Sequence, residues 1–292
     1  MPTLIRLLLT LLGQLPLPLL HGLGWCLGQL VWMIPNGYRW MSLRQLELCL
    51  PELDAGQRRH IARRSLIESL KAICEVPAVW YGPRWRLRRW LDDADTLRGL
   101  RERLTEGHGS ILLTPHQGAW EVAGLFCSRA APLTILYKPQ NSAADEVIER
   151  GRARLGARLV PTEGSGVKAL LAALQRREMI GVLPDHDPPE GSGKFAPLFG
   201  IPAHTMDLVP KLAARSQAPV TFVVAERLSF GRGFRFHLVP APPGVNDLQQ
   251  GAAAINQGLE TCIRRWPDQY WWSYKRFRRQ PPGSADPYAK KR

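Results

Sequence analysis

Gly109-Ser110-Ile111-Leu112-Leu113-Thr114-Pro115-His116-Gln117-Gly118-Ala119-Trp120-Glu121-Val122-Ala123-Gly124 carries an apolar run into a histidine, a glycine turn and then a carboxylate. Ile111 to Thr114 has the length and composition of a short buried strand, Gly118 permits a sharp bend, and Trp120 to Phe126 opens a helix. On one continuous helix His116 and Glu121 would point about 140° apart. Across a turn, Glu121 can fold back toward His116 at the strand's C-terminal end. A carboxylate holding one imidazole nitrogen leaves the other to take a proton from a hydroxyl, which is general-base chemistry. A histidine that only caps the next helix would show the same spacing, so the rest of the chain has to choose between the two.

Downstream the pattern alternates. Thr134 to Tyr137, Arg158 to Val160 and Ile180 to Leu183 read as strands, with helices over Ala143 to Leu155 and Val167 to Arg177 between them. Strand and helix in turn predict an α/β fold with a mixed, mostly parallel sheet flanked by helices. In such sheets the reactive site lies beyond the C-terminal strand ends, and His116, Lys138 and Asp185 all follow such ends. Pro219 to Ala225 and Phe234 to Val239, joined through Gly231-Arg232-Gly233, predict a hairpin at the sheet's edge. The glycines of Thr162-Glu163-Gly164-Ser165-Gly166 could offer amides to a phosphate, but Ser165 as an ordinary helix cap explains the turn as well and is the reading preferred. Gly191-Ser192-Gly193-Lys194 is no P-loop, since the earlier glycine is missing and Phe195 stands where a hydroxyl should follow the lysine. Asp185-His186-Asp187 invites a metal, yet consecutive loop residues seldom converge on one ion and no second cluster completes a shell. Neither a metal nor another cofactor is expected.

The N-terminus has a different character. From Leu4 to Ile34 the only charge is Arg6, and the run is broken by Pro16, Pro18 and several glycines. A kinked span or a hairpin in one leaflet is expected, with a buried core hairpin or a cleaved signal as alternatives. Trp25, Trp32, Tyr38 and Trp40 suit an interfacial belt, and Arg39 and Arg44 favour a cytoplasmic C-terminal side. Residues 1–40 are thus expected to anchor, 41–280 to form the catalytic domain and 281–292 to be a loose basic tail. Helices are expected over Met41 to Leu50 and Gln57 to Cys74; the Trp80–Trp90 run, which interleaves arginine and tryptophan, suits acidic headgroups better than nucleic-acid bases behind such an N-terminus. The net charge of +14 calls for an anionic partner without choosing one. Five scattered cysteines, odd in number and without a Cys-x-x-Cys pair, suggest neither a disulfide framework nor a zinc site.

Several separated stretches together resemble the late acyltransferases of lipid A biosynthesis (lauroyl and myristoyl transferases), within the glycerolipid acyltransferase superfamily. They are Leu46–Glu52, His116–Glu121, Tyr137-Lys138-Pro139, Arg150–Gly156, Pro184–Asp187, Pro197–Ala203, Pro267–Trp272 and Arg276-Phe277. The resemblance implies an inner-membrane enzyme with its catalytic domain on the cytoplasmic face, moving a fatty acyl chain from acyl carrier protein, or from acyl-CoA, onto a lipid hydroxyl. In that family the histidine of the His-x4-Asp/Glu motif is the base and the acid orients it, which assigns those roles to His116 and Glu121. It implies acceptor or transition-state contacts for Arg152 and Arg154, with Lys138 and Asp185 also at the substrate. The chain departs from the family's usual residues at Ala119, Lys138 and Tyr274, commonly asparagine, arginine and histidine. An acyltransferase for lysophosphatidic acid or an aminolipid, and a non-catalytic protein binding anionic lipid, are the rival readings.

Overall fold

The computed structural model describes residues 2–105, 107–139 and 144–289. The chain begins with α1 (Pro2–Leu12) and α2 (Leu17–Met33), then α3 (Gly37–Cys49), α4 (Ala55–Tyr81), α5 (Arg84–Trp90) and α6 (Ala94–Thr105). β1 (Ser110–Leu113), α7 (Trp120–Cys127), β2 (Leu133–Tyr137), α8 (Ala144–Arg152), β3 (Arg158–Pro161), α9 (Gly164–Gln175) and β4 (Met179–Val182) follow in alternation. A hairpin, β5 (Gly193–Leu198) and β6 (Ile201–Met206), then leads to α10 (Leu208–Ser216), β7 (Val220–Arg227), β8 (Phe234–Pro240) and α11 (Gly251–Arg265).

Six strands form one sheet in the order β3-β2-β4-β1-β7-β8, parallel throughout except for the antiparallel β7–β8 pair at the edge. This is the expected mixed, mostly parallel architecture. Side chains alternate across the sheet, so β1 serves two cores. Ile111 and Leu113 face α9 and α11, packing with Leu170, Ile255 and Leu259, while Leu112 faces α7 and packs with Val122, Leu125 and Phe126.

The helical N-terminal region lies on the same body. Asp54 and Gln57 close a reciprocal cap at the start of α4, and the Asn36 side chain caps α3 by accepting from the Arg39 N–H. α2 lies so close to α4 that a Cβ on Gly24 would stand 2.6 Å from the Lys71 Cα, and one on Gly28 2.5 Å from the Ile67 Cα. Those glycines allow backbone contact between the helices. No single helix among the described residues is long and apolar enough to cross a membrane; α1 and α2 meet such a test only as a pair, bent by 109°.

Four local expectations change. The α9 helix starts at Gly164, so Ser165 lies inside it rather than capping it; Gly166 is glycine because a Cβ there would meet the Pro161 carbonyl at 1.7 Å. The helix expected over Gln57 to Cys74 runs from Ala55 to Tyr81, so that the Trp80–Trp90 run is shared between the end of α4 and the short α5. The helix expected from Ala143 to Leu155 ends as α at Arg152 and tightens into a 3₁₀ turn; residue 143 lies outside the described residues. The expected loose tail is tied down as far as its description goes: Arg44 donates to the Pro287 carbonyl at 2.7 and 2.9 Å, and the buried Tyr288 hydroxyl accepts from the Phe277 N–H at 3.0 Å. Residues 290–292 lie outside the described residues.

Candidate active site

β1 delivers His116 just past its C-terminal end, where Gly118 turns the chain with φ +61°. A Cβ at Gly118 would meet the Ala225 carbonyl at 2.2 Å, so the turn needs glycine for conformation and for space. The loop is fixed on both sides: the Ala119 N–H donates to the Ala225 carbonyl at 2.8 Å, the Gly118 N–H to the Gln269 carbonyl at 2.9 Å, and the Trp271 N–H to the His116 carbonyl at 3.1 Å.

Asp185, just beyond β4, supplies the carboxylate on His116. Its Oδ1 accepts from the imidazole Nδ1 at 2.9 Å and its Oδ2 from the His116 backbone N–H, also at 2.9 Å. Burial works against the Asp185 charge, but the imidazole and the amide outweigh it and hold the carboxyl down at about 2. Glu121, expected to orient the ring, is engaged elsewhere. It accepts a two-pronged ion pair from Arg152, Nε to Oε2 at 3.0 Å and Nη2 to Oε1 at 2.6 Å. Burial disfavours the Arg152 charge, and Glu121 more than offsets it, so its pKa rises.

The remaining expected site residues separate. Asp185, expected to contact substrate, is 1% exposed and has both oxygens on His116. Arg154 donates to the Val79 and Gly82 carbonyls at the end of α4, which holds the segment after α8 in place rather than reaching the cleft. Lys138 is exposed just after β2. The three residues of Asp185-His186-Asp187 diverge: Asp187 accepts from His204 Nδ1 at 2.7 Å and pairs with Arg278, while His186 stacks between two rings.

That stack was not foreseen. The His186 ring lies 3.8 Å from His116 at 4° and 4.1 Å from Tyr274 at 19°, and Trp120 and Trp271 flank His116 at 5.5 and 5.4 Å. Burial and then the His116 ring push His186 down to about 4, so it is neutral near pH 7. Residues from 116 to 274 meet here; the strand-end positions of His116 and Asp185 and the matched stretches Pro184–Asp187 and Pro267–Trp272 pointed to the region, while the stacking of the rings had no signal of its own in the sequence.

Between α7 and the sheet runs an apolar pocket that opens to solvent. Thr114, Trp120, Glu121 and Arg152 surround its upper end, and it descends past Ile135 to Cys127 and Leu133. Its walls are hydrocarbon, and the ion pair stands at the end nearest His116. A long alkyl chain matches that lining; a polar substrate does not.

Residues 3–279 match the bacterial lipid A biosynthesis acyltransferase family. Among similar proteins of Escherichia coli K12, a lipid A biosynthesis lauroyltransferase is 28% identical, covering 96% of this chain and 92% of that protein. A palmitoleoyltransferase is 27% identical over 94% and 90%, and a myristoyltransferase 23% identical over 91% and 83%. With the match spanning nearly all of the sheet, the cleft and the N-terminal helices, the chain belongs to the bacterial lipid A biosynthesis acyltransferases and is an acyltransferase enzyme.

Proposed function

We propose that this enzyme transfers a fatty acyl chain from a thioester on acyl carrier protein to a hydroxyl of a lipid A precursor, with His116 as general base. The observation that carries this reading is the His116–Asp185 pair. With Nδ1 donating to the carboxylate, Nε2 is the nitrogen that accepts a proton. Nε2 takes the proton from the acceptor hydroxyl as its oxygen attacks the thioester carbonyl; collapse of the tetrahedral intermediate breaks the C–S bond, and the departing thiolate takes the proton from the imidazolium. Asp185 holds the ring's tautomer and balances its charge. The Gly118 and Ala119 amides are committed to Gln269 and Ala225, and the oxyanion is assigned to Arg152, whose Nη1 has no partner among the described residues after Nε and Nη2 bind Glu121, with the Trp120 amide at the start of α7 as a second donor. Glu121 thereby acts as the positioner of a cation, not of the base.

The apolar cavity beside the ion pair receives the acyl chain. Relatives of similar identity are named for lauroyl, palmitoleoyl and myristoyl chains, so the family leaves the chain of this enzyme open. The exposed leucines of α1 and α2 lie in the cytoplasmic leaflet of the inner membrane, where the acceptor resides, and the excess positive charge suits both an acidic carrier protein and a phosphorylated lipid. The test uses purified protein, labelled acyl-carrier protein and, as acceptors in parallel, a lipid A precursor and lysophosphatidic acid. Transfer to the lipid A precursor is expected, and His116→Ala should lower it by at least ~10². Undiminished transfer by His116→Ala, or a preference for lysophosphatidic acid, would overturn the reading.

A further inference from the structure

Most glycines near the active site have a structural reason to be glycine, and two do not. Gly118 has a positive φ, and Gly166 would press a Cβ into the Pro161 carbonyl. Gly124, in α7, and Gly181, in β4, have neither a positive φ nor a close neighbour. A Cβ on Gly124 would meet only the Ile135 Cδ1, at 3.9 Å; one on Gly181 would meet the Ile135 Cγ1 at 3.4 Å and the Leu133 Cδ1 at 3.6 Å, ordinary van der Waals separations. Glycine is also the less favoured choice in the interior of a helix or a strand. What a side chain would occupy at both positions is the apolar cavity, which both line.

Their placement gives that space a meaning. The cavity follows α7, whose eight residues give about 12 Å of length, from the Glu121–Arg152 pair down to Cys127 and Leu133. Gly124 lies at the middle of α7. Gly181 lies at the middle of the sheet, in register with Leu112 on one side and Ile135 on the other. The two therefore stand on opposite walls at mid-depth, both beside Ile135, below the reacting end and above the floor.

We propose that Gly124 and Gly181 determine acyl-chain length by keeping the lower half of the cavity open to the end of the donor's alkyl chain. The inference rests on the cavity holding that chain, as in the reading above. Methyl groups at these positions narrow the passage without moving the backbone, so chains that end above them still fit and longer ones do not. A missing or extra methylene in an apolar pocket changes selection by roughly 10-fold or more.

Gly124→Ala, Gly181→Ala and the double variant are compared with the parent enzyme, using acyl-carrier protein thioesters of graded chain length and a lipid A precursor. Thermal denaturation checks that each variant folds. The expected result is a selective fall in kcat/KM for the longest chains, on the order of 10-fold or more, with the shortest chains transferred as before. A uniform loss at all lengths, or an unchanged length profile, would overturn the proposal. Calorimetric binding of free fatty acids of the same lengths provides a second arm that does not depend on turnover. If the parent protein binds long chains and the double variant prefers short ones while no acyl transfer is seen, the inference stands and the proposed reaction fails. An unshifted binding series overturns the inference even in an enzyme that transfers acyl chains.

Discussion

Asp185 is buried and Glu121 half-buried, both at the ends of elements that converge on the cleft, and they have different partners. Asp185 has a ring N–H and a backbone N–H on it, whereas Glu121 has the two prongs of Arg152. Asp185→Asn keeps the shape, removes the charge that balances an imidazolium, and lets the amide favour the tautomer with the proton on the wrong nitrogen. Its kcat is expected to fall by on the order of 10²–10⁴, and the His116→Ala, Asp185→Asn double variant should be little worse than either single one. Glu121→Gln leaves the imidazole's partner untouched and loosens Arg152, so its loss should be matched by Arg152→Met and should not add to it. Steady-state kinetics across pH separate the two pairs: the acid limb of the rate profile is expected to move in Asp185→Asn and to stay in place in Glu121→Gln. An acid limb that moves with Glu121 and not with Asp185 would restore Glu121 as the ring's partner.

The turn after β1 is held at the level of elements by a buried charge network. Arg227, at the end of β7, donates to Glu75 at 2.7 and 2.8 Å and to Glu68 at 2.9 Å, both on α4, and to the Gly118 carbonyl at 3.0 Å. His21 on α2 also donates to Glu75, at 2.8 Å, so one cluster links α2, α4, β7 and the turn. Burial opposes the charges of Glu68 and Glu75, but Arg227 outweighs it and leaves both pKa values lowered. A lowered carboxylate pKa contributes stability that is complete above the unfolded value, near 4.5, and is lost as pH falls below it toward the folded value. Arg227→Met should cost about 3–5 kcal/mol at neutral pH by removing the counter-charge shared by two buried carboxylates, measured by denaturant unfolding, and should regain part of that loss as pH drops and they protonate. These long-range partners explain what was legible in the chain. Strand and helix periodicity is local, so the parallel core and the edge hairpin could be read directly. The choice of Asp185 over Glu121 depends on β4 lying beside β1, 69 residues away, and no local spacing encodes it. The β5–β6 hairpin escaped notice because Pro197 and Pro202 sit opposite each other in it; its signal was the Phe199-Gly200 turn, with φ +50° and +73°.

At the scale of the whole molecule, the attachment of the N-terminal helices restricts the proposed contact with a bilayer. One face of α2 is buried against α4 through Gly24 and Gly28, and α1 departs from α2 at 109°, so the pair cannot straighten into a single span without leaving the body of the protein. The opposite face carries Leu19, Leu23 and Leu30, each 50–61% exposed, and Leu7, Leu8 and Leu11 are exposed on α1. Arginines of α5 stand next to this surface, since Arg86 donates to the Leu15 carbonyl at 2.8 Å in the turn between α1 and α2. An apolar face edged by arginine is the arrangement of a protein lying in one leaflet against anionic headgroups. Replacing Leu19, Leu23 and Leu30 together with glutamate removes about 1.5 kcal/mol or more of apolar burial per residue from the membrane-bound state, a combined factor of at least ~10³ in partition. Because the three side chains are exposed in the fold, the thermal midpoint should hardly change. Flotation with vesicles containing anionic phospholipid is expected to lose the variant, and transfer to an acceptor embedded in those vesicles to fall far more than transfer to the same acceptor in detergent. Retention on the vesicles would mean that the leaflet engages another surface, and the tilt of the cleft toward the membrane would have to be drawn from that surface instead.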